Sequence, residues 1–265
     1  MVIKNNVDAV RTYNVYHQNT IALSDSMYKV SSGERVYSAK VAPSDYGISE
    51  KMRGDISANE QAERNVQNGA NMLKTATDAI SNIVDILNSM KEKVVNGANG
   101  SNSETDVSRL TTELTDLGAQ ITQNLGVKYN GINLLNEAEG FNLQIGIEAG
   151  DVLAVEAPTM DLGSVTEGLE AGSAETIETI DTALESALTQ LATYASIETR
   201  LGFAADNVST TTTNLISSES TIRDMDLAKG MNNFMKFNVL TQASQFMNAQ
   251  AAQNPYSVLQ LLQAS

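Results

Sequence analysis

The sequence predicts a mainly α-helical protein, in which the N- and C-terminal segments form a long antiparallel coiled-coil bundle with a small β-hairpin in the middle. Only three prolines are present, at Pro43, Pro158 and Pro255, and we take each to mark a break, because proline inside a helix costs ~3 kcal/mol. Between them, apolar residues recur at spacings of three and four. Aromatic residues make up only 5% of the chain, which favours helices packed side by side.

Composition and charge exclude several classes of function. The 265 residues include 32 acidic and 17 basic ones, so the net charge is -15. We expect neither nucleic acid nor an anionic membrane as a partner, because both attract clustered Lys and Arg. The absence of cysteine excludes disulfides, thiolate nucleophiles and thiolate metal sites. No apolar run has the length of a signal peptide or a membrane span, so we expect a cytosolic protein or one exported without a cleaved signal.

The N-terminal thirty residues are predicted to be helical, with apolar side chains on more than one face. Such a helix needs several neighbours to cover it. Residues 31–54 follow, hold Gly33, Pro43 and Gly47, and contain little that builds a core. We therefore expect a connecting segment there, between two long helices.

The strongest helical pattern covers residues 56–97, where one face carries a coiled-coil-like apolar stripe. Asn68-Gly69 ordinarily favours a turn, but the stripe continues through it in phase, so we predict helix there. The stripe consists of Ala62, Val66, Ala70, Leu73, Ala76, Ile80, Ile83, Leu87, Met90 and Val94.

A break at residues 96–106 precedes a second helix that runs to about Leu125. Ser103 is the predicted N-cap, with Asp106 three residues later as in a capping box. The break is short, so the two helices should be antiparallel neighbours. The segment "KYNGINLL" (128–135) ends the second helix.

The middle of the chain changes from a helical to a strand period. Residues 141–147 alternate apolar with polar or small residues, "EAGD" turns the chain, and residues 152–157 return, which predicts a β-hairpin. Residues 158–175 are glycine-rich and acidic and are predicted to form a surface loop. Helix resumes near Ser173, and residues 225–262 are apolar on more than one face.

At both ends the sequence resembles bacterial flagellin. "VSSGERVYSA" (30–39) is similar to the family's Leu-Ser-Ser-Gly-X-Arg-Ile-Asn-Ser-Ala motif, and "STIRDMDLAKGM" (220–231) to its Ser-Arg-Ile-Arg-Asp-Ala-Asp-X-Ala signature. "NGANGSNS" (96–103), "KYNGINLL" and the stretch from residue 239 to 262 also match in order and spacing. Two departures stand out: "VAPSDYG" (41–47) replaces Asp-Asp-Ala-Ala-Gly, and Glu34 replaces an apolar residue.

The resemblance implies a division of the chain into layers. It implies inner-core helices at 1–33 and 225–265, a linking region at 34–56 and 200–224, outer-core helices at 57–137 and 176–222, and the hairpin with its surface loop at 138–175. The terminal regions would fold on assembly.

The resemblance also implies function: an extracellular structural subunit of the flagellar filament, exported without a cleaved signal by the flagellar export apparatus. Its partners would be further copies of itself, an export chaperone and the filament cap protein. Neither catalysis nor a cofactor is expected. The residues assigned to self-assembly are Val7, Val10, Ile21, Met27, Ser32, Gly33, Arg35, Arg223, Asp224, Leu227, Phe234, Leu240, Leu259 and Leu262.

A receptor surface of the family is expected to be altered here. The family's site for Toll-like receptor 5 has an Arg, a Leu four residues later and a Glu on the next helix. Ser89, Lys93 and Gln120 occupy the equivalent positions. The hypothesis is a weak or altered ligand; the alternative is that residues 88–93 are an ordinary solvated helix face.

Three other functions stay open at the level of sequence. A hook–filament junction protein shares the terminal helices of flagellin. An enzyme or adhesin would need a larger insert than residues 158–175, and a free coiled-coil binding module predicts a small oligomer. His17 is the single histidine, and the sequence gives it no companion residues with which to form a catalytic or metal site.

Overall fold

The computed structural model describes residues 6–135, 140–156, 158, 160, 162–165 and 169–263, with side chains described as far as residue 253. In these residues the mainly α-helical prediction is confirmed. The helices are α1 (Val7–Ser32), α2 (Pro43–Gly97), α3 (Glu104–Leu125), α4 (Ala174–Arg223) and α5 (Leu227–Gln263). The strands are β1 (Lys128–Tyr129), β2 (Ile132–Asn133), β3 (Phe141–Gln144) and β4 (Val152–Val155), and a short 3-10 helix covers Gly163–Val165.

The chain forms two compact units. The terminal unit comprises Met1–Asp55 and Asn214–Ser265, and the central unit comprises Ile56–Thr213. No helix in the described part of the chain is both long and apolar enough to cross a membrane.

The core of the central unit is built from the predicted apolar stripe of α2, together with side chains from α3, α4 and the β3–β4 hairpin. Ile80, Ile83 and Leu87 are completely buried, as is Leu114 of α3. The predicted hairpin is confirmed: β3 and β4 pair antiparallel, with Leu143 opposite Leu153. The stripe is therefore the face of α2 against which the other elements of this unit pack.

Gly69 keeps its place inside α2 because the hairpin lies directly against it. A Cβ atom at this position would stand 2.6 Å from Cδ1 of Leu143. The Asn68-Gly69 pair thus serves close packing in a continuous helix rather than a turn, as the phase of the stripe predicts.

The connection between α2 and α3 is fixed at both of its ends. Ser103 caps α3 in the predicted capping box: Oγ accepts from the N–H of Asp106, and the N–H of Ser103 donates to the Asp106 carboxylate, both at 3.3 Å. Gly97, the last residue of α2, touches Gly172, whose φ is +91°. A Cβ on Gly172 would lie 2.8 Å from the Gly97 carbonyl oxygen, so only glycine fits this contact.

In the terminal unit, α1 lies antiparallel to α5. Asn6 donates from Nδ2 to the carbonyl oxygen of Ala251 at 2.8 Å, and Asn19 donates to Oγ of Ser244 at 2.7 Å. The start of α1 is therefore paired with the later part of α5.

The connecting segment after α1 is shorter in the structure than the sequence predicts. Helix α2 begins at Pro43, thirteen residues before the predicted start at 56. Proline suits the first turn of a helix, where its missing N–H has no partner to lose. Gly47 and Gly54 are then carried inside the helix at ~1 kcal/mol each, so the connection shrinks to residues 33–42.

Three further predictions need revision. The segment 158–175 is not only a surface loop, because its described apolar residues Leu162, Val165, Leu169 and Ala171 are buried in the core of the central unit. Pro255 lies inside α5, so the prediction that it marks a break is wrong; alanine and glutamine, strong helix formers, precede it and favour a continuous backbone. The segment "KYNGINLL" does end α3, but it also forms the small β1–β2 hairpin, which the sequence-based prediction omits. Its Asn130-Gly131 turn has φ angles of 50° and 83°, a conformation that the Asn-Gly pair favours.

Candidate self-assembly surface

The paired helices α1 and α5 present large apolar side chains to solvent. Several of the residues assigned to self-assembly are more than half exposed, and Leu240 is 38% exposed. Phe234 is half-buried. The residues over half exposed are Val7, Val10, Ile21, Met27 and Leu227. Further apolar side chains are at least half exposed: Tyr13, Val15, Tyr28, Met235, Val239, Phe246 and Met247.

The fully buried side chains of α1 and of the described part of α5 are small or polar instead. These are Ser26, Ser244 and Ala251, and Asn19 forms a hydrogen bond across the pair. The large apolar side chains that are half-buried include Leu23, Val30, Phe234 and Phe237. A helix pair arranged in this way buries little apolar surface of its own. Its apolar faces gain the hydrophobic free energy of about 25 cal/mol per Å² only when another surface covers them.

A backbone connection joins the end of α1 to the end of α4. Gly33 caps α1 with φ +75°, and its carbonyl oxygen accepts from the N–H of Met225 at 3.0 Å. The N–H of Arg35 donates to the carbonyl oxygen of Arg223 at 2.6 Å, and Glu34 forms an antiparallel bridge with Asp224. The two signature motifs of the sequence are thus held side by side.

Arg223 is the centre of the side-chain network at this connection. Its side chain is only 8% exposed; Nη1 lies 2.6 Å from Glu50 and Nε lies 2.9 Å from Glu34. The ring of Tyr46 lies 5.7 Å from the guanidinium carbon. The hydrogen bond from Arg223 lowers the pKa of Glu50, and the same bond raises the pKa of Arg223. The guanidinium therefore stays charged and links the end of α4 to Glu34 in the connecting segment and to Glu50 in α2.

The remaining assigned residues at the connection also take part in it. Arg35 donates from Nη2 to the Asp45 carboxylate at 3.1 Å and to the carbonyl oxygen of Ile222. Ser32 accepts from the N–H of Glu34 at 3.2 Å, and the Asp224 carboxylate accepts from Ser220 Oγ at 2.6 Å. The side chains of the assigned Leu259 and Leu262 lie outside the described residues.

Asp25 ties α1 to the connecting segment. Its carboxylate pairs with Lys29 at 2.7 Å and accepts from the Tyr37 hydroxyl at 2.8 Å. Burial acts to raise the pKa of Asp25, but these two hydrogen bonds outweigh it and hold the pKa below its ordinary value. The Tyr37 ring stacks on Tyr28 at 5.8 Å between centroids, which fixes the path of the chain after α1.

Sequence reasoning missed two partners of this network, Glu50 and Tyr46, and treated Glu34 only as a departure from the family. The start of α2 is the feature of the sequence that could have identified Tyr46 and Glu50. Once a helix begins at Pro43, the i, i+4 spacing places Tyr46 and Glu50 on one helical face. Their convergence on Arg223, more than 170 positions later, has no local signal.

The three receptor-patch positions lie in the central unit. Ser89 is exposed on α2, and Gln120 is exposed on α3. Lys93 is partly buried because its ammonium group pairs with Glu113 of α3 at 2.5 Å. Among the described residues, no three His, Cys, Asp or Glu side chains are grouped as a metal site requires.

Comparisons with known proteins find similarity along nearly the whole chain. The family model described as the bacterial flagellin N-terminal helical region matches residues 3–139, and that of the C-terminal helical region matches residues 177–262. The flagellins of Halalkalibacterium halodurans and Bacillus subtilis are 32% and 31% identical, each over 99% of this chain and all of the relative. The crystal structure of Bacillus cereus flagellin matches with a TM-score of 0.50 and 25% identity, covering 59% of this chain and 94% of that one.

Proposed function

Because the chain belongs to the bacterial flagellin family of structural, non-enzymatic subunits of the extracellular filament, we propose that it polymerises through the exposed apolar faces of α1 and α5. The observation that carries this proposal is the inverted arrangement of the terminal unit. The fully buried side chains of the two helices are small or polar, whereas most of their large apolar side chains are exposed. Further copies of the chain would supply the missing cover.

The connection around Arg223 has a supporting role in this proposal. It holds the end of α1 against the end of α4, immediately before α5, through backbone hydrogen bonds and ion pairs. The exposed apolar faces of α1 and α5 are then held in one fixed arrangement. Such preorganisation lowers the entropy cost of adding a copy to the polymer.

Seeded assembly followed by negative-stain electron microscopy tests the proposal. We expect the purified chain, in a precipitating salt with short filament seeds, to form long tubes of uniform width. Val10→Asp places a charge on a side chain that is 59% exposed in α1 and should abolish tube formation. Leu188→Asp, at a 44% exposed position in the central unit, is the matched control and should assemble.

Two results would contradict the proposal. Tubes formed equally well by Val10→Asp would show that the exposed face of α1 takes no part in assembly. Soluble monomers or short caps formed by the unaltered chain would favour the hook–filament junction alternative, whose terminal helices are similar.

The route to the outside of the cell is the second part of the proposal. The chain would leave through the flagellar export apparatus without a cleaved signal, with a chaperone covering the apolar face of α5 and a cap protein guiding insertion. The exposed Met231, Met235 and Val239 are the side chains that such a chaperone would cover. Mass spectrometry should find the uncleaved chain in culture medium, and none in medium from cells whose export apparatus is inactive.

The third part concerns recognition by Toll-like receptor 5, for which we propose weak activation. Ser89 lacks the five N–H donors of an arginine, and Lys93 brings a charge that must be desolvated in an apolar contact. Its ion pair with Glu113 would also have to break. In receptor-reporter cells, the paired change Ser89→Arg with Lys93→Leu should raise the response several-fold. A response of the unaltered chain equal to that of a strong agonist flagellin would refute this part.

A further inference from the structure

A cavity of about 210 Å³ lies within the central unit, between the turn of the β3–β4 hairpin and the helices α2 and α4. This volume holds several water molecules or one protein side chain. The lining combines apolar and uncharged polar groups with a single carboxylate. The side chains that give the cavity its chemistry are those of Asn59, Ile147, Asp151, Asn207, Val208 and Thr211.

Asn59 is the buried polar group of this cavity. It is 4% exposed, and its Nδ2 group has no hydrogen-bond partner among the described residues. An unpaired buried amide is destabilising, and native proteins retain few of them. An acceptor supplied from outside the chain would remove this penalty.

The helix α4 also offers free hydrogen-bonding groups to the cavity. Within the described chain, the side chains of Asn207 and Thr211 make no hydrogen bond. The neighbouring threonines behave differently, because each donates to the carbonyl oxygen four residues earlier; these are Thr210, Thr212 and Thr213. Both Asn207 and Thr211 are exposed, so their polar groups are available to a further partner.

The lining selects the chemistry of the occupant. An anion is disfavoured, because the described lining contains no Lys or Arg but does contain the Asp151 carboxylate. A cation offers no hydrogen-bond acceptor and would leave the Asn59 N–H unpaired. A neutral carboxamide satisfies both requirements: its oxygen accepts from Asn59, and its N–H groups donate to Asp151 or Thr211.

The surroundings of the cavity indicate that the carboxamide belongs to a protein. Phe203 is 71% exposed and lies four residues before the cavity-lining Asn207, so the two share one face of α4; Ile147 is 43% exposed. Exposed aromatic and aliphatic side chains beside a cavity are typical of a contact surface between proteins. In a polymer, the neighbour available to every subunit is another copy of the same chain.

We propose that this cavity receives an Asn or Gln side chain of a second copy of the chain in the assembled polymer. The proposal rests on the proposed function, and it adds a specific contact in the central unit to the apolar contacts of α1 and α5.

The test separates the stability of the monomer from assembly. Asn59→Leu removes the unpaired amide at similar volume, so the melting temperature of the monomer, followed by circular dichroism, should rise. The critical concentration for seeded assembly, measured by sedimentation, should increase about fivefold to tenfold through loss of one hydrogen bond. Asn82→Leu, on an exposed position of α2, is the matched control and should leave the critical concentration unchanged.

A second variant covers the case in which Asn59→Leu does not fold. Phe203→Ser alters an exposed side chain, so it should keep the monomer's melting temperature and still raise the critical concentration. If the folded variants assemble at the same critical concentration as the unaltered chain, the contact with a second copy is refuted. Water is then the only occupant of the cavity. A lower melting temperature for Asn59→Leu would overturn the contact too, because Asn59 would then have a partner inside its own chain. Failure of the unaltered chain to assemble contradicts the proposed function itself, which distinguishes the two proposals.

Discussion

The terminal and central units are both dominated by long helices, yet they bury their side chains in opposite ways. Among the described residues, 28 of the 30 buried apolar side chains lie in the central unit, and 17 of the 23 large exposed ones lie in the terminal unit. Their charges differ as well. The terminal segments carry ten basic and nine acidic residues, whereas residues 56–213 carry seven and 23.

This difference shows that helix length does not decide whether a helical unit is stable by itself. The central unit has a continuous apolar core, and its charge keeps its surface soluble. The terminal unit fully buries few apolar side chains and exposes many, with almost no net charge to oppose association. Substitutions in each unit, and a change of pH, should therefore have unequal effects on stability.

The largest effect is expected from a core truncation in the central unit. Leu87→Ala removes a completely buried side chain and should lower the free energy of unfolding by about 2–5 kcal/mol, measured by urea denaturation of the monomer. Val10→Ala, at an exposed position of the terminal unit, should change it by under ~0.5 kcal/mol. Equal losses in the two variants would contradict the contrast between the units.

Gly172→Ala should destabilise the central unit by about 1–3 kcal/mol. The new Cβ would lie 2.8 Å from the Gly97 carbonyl oxygen, at a φ of +91° that alanine rarely adopts. The control is Gly202→Ala in α4, where no atom lies within 4 Å of the position that a Cβ would take, and it should stabilise by up to ~1 kcal/mol. Thermal melting compares the two, and a stabilised Gly172→Ala would refute the close approach.

Arg223→Ala tests the connection of the terminal unit. It leaves the partly exposed carboxylates of Glu34 and Glu50 without their shared cation, so we expect a loss of about 1–2 kcal/mol. Hydrogen exchange of residues 33–42 should accelerate accordingly. Arg53→Ala removes only an exposed pair with Glu50 and should have almost no effect. Similar exchange in both variants would argue against a central role for Arg223.

The smallest effect is expected from pH. The pKa values of Asp25 and Glu50 are lowered from 3.8 and 4.5 in the folded chain. Their contribution to stability is therefore complete above those ordinary values and is lost as the pH falls through the lowered ones. Once corrected for the pH dependence of intrinsic amide exchange, the exchange of residues 33–42 should stay constant from pH 7 to pH 5 and accelerate below about pH 4. Glu50→Gln should weaken this acceleration; an unchanged profile would exclude Glu50 as its source.

Features that depend on neighbouring residues were predictable from the amino-acid sequence alone. The apolar spacing of α2, the capping box of Ser103 and the turn between β3 and β4 are local patterns, and the structure confirms each. The motifs around Gly33 and Arg223 also identified the family. These features follow from helix geometry, hydrogen-bond capping and turn chemistry within a few residues.

Features that depend on distant partners were decided by the tertiary structure. Local rules place Gly69 in a turn or a helix, and only the approach of Leu143 explains the glycine. Glu34 is merely a departure from its family until Arg223 lies beside it. The faces that α1 and α5 turn towards each other likewise cannot be predicted from two helices that are apolar on several sides. In each case the deciding free energy comes from a contact between segments far apart in the chain, and single-segment patterns carry no information about such contacts.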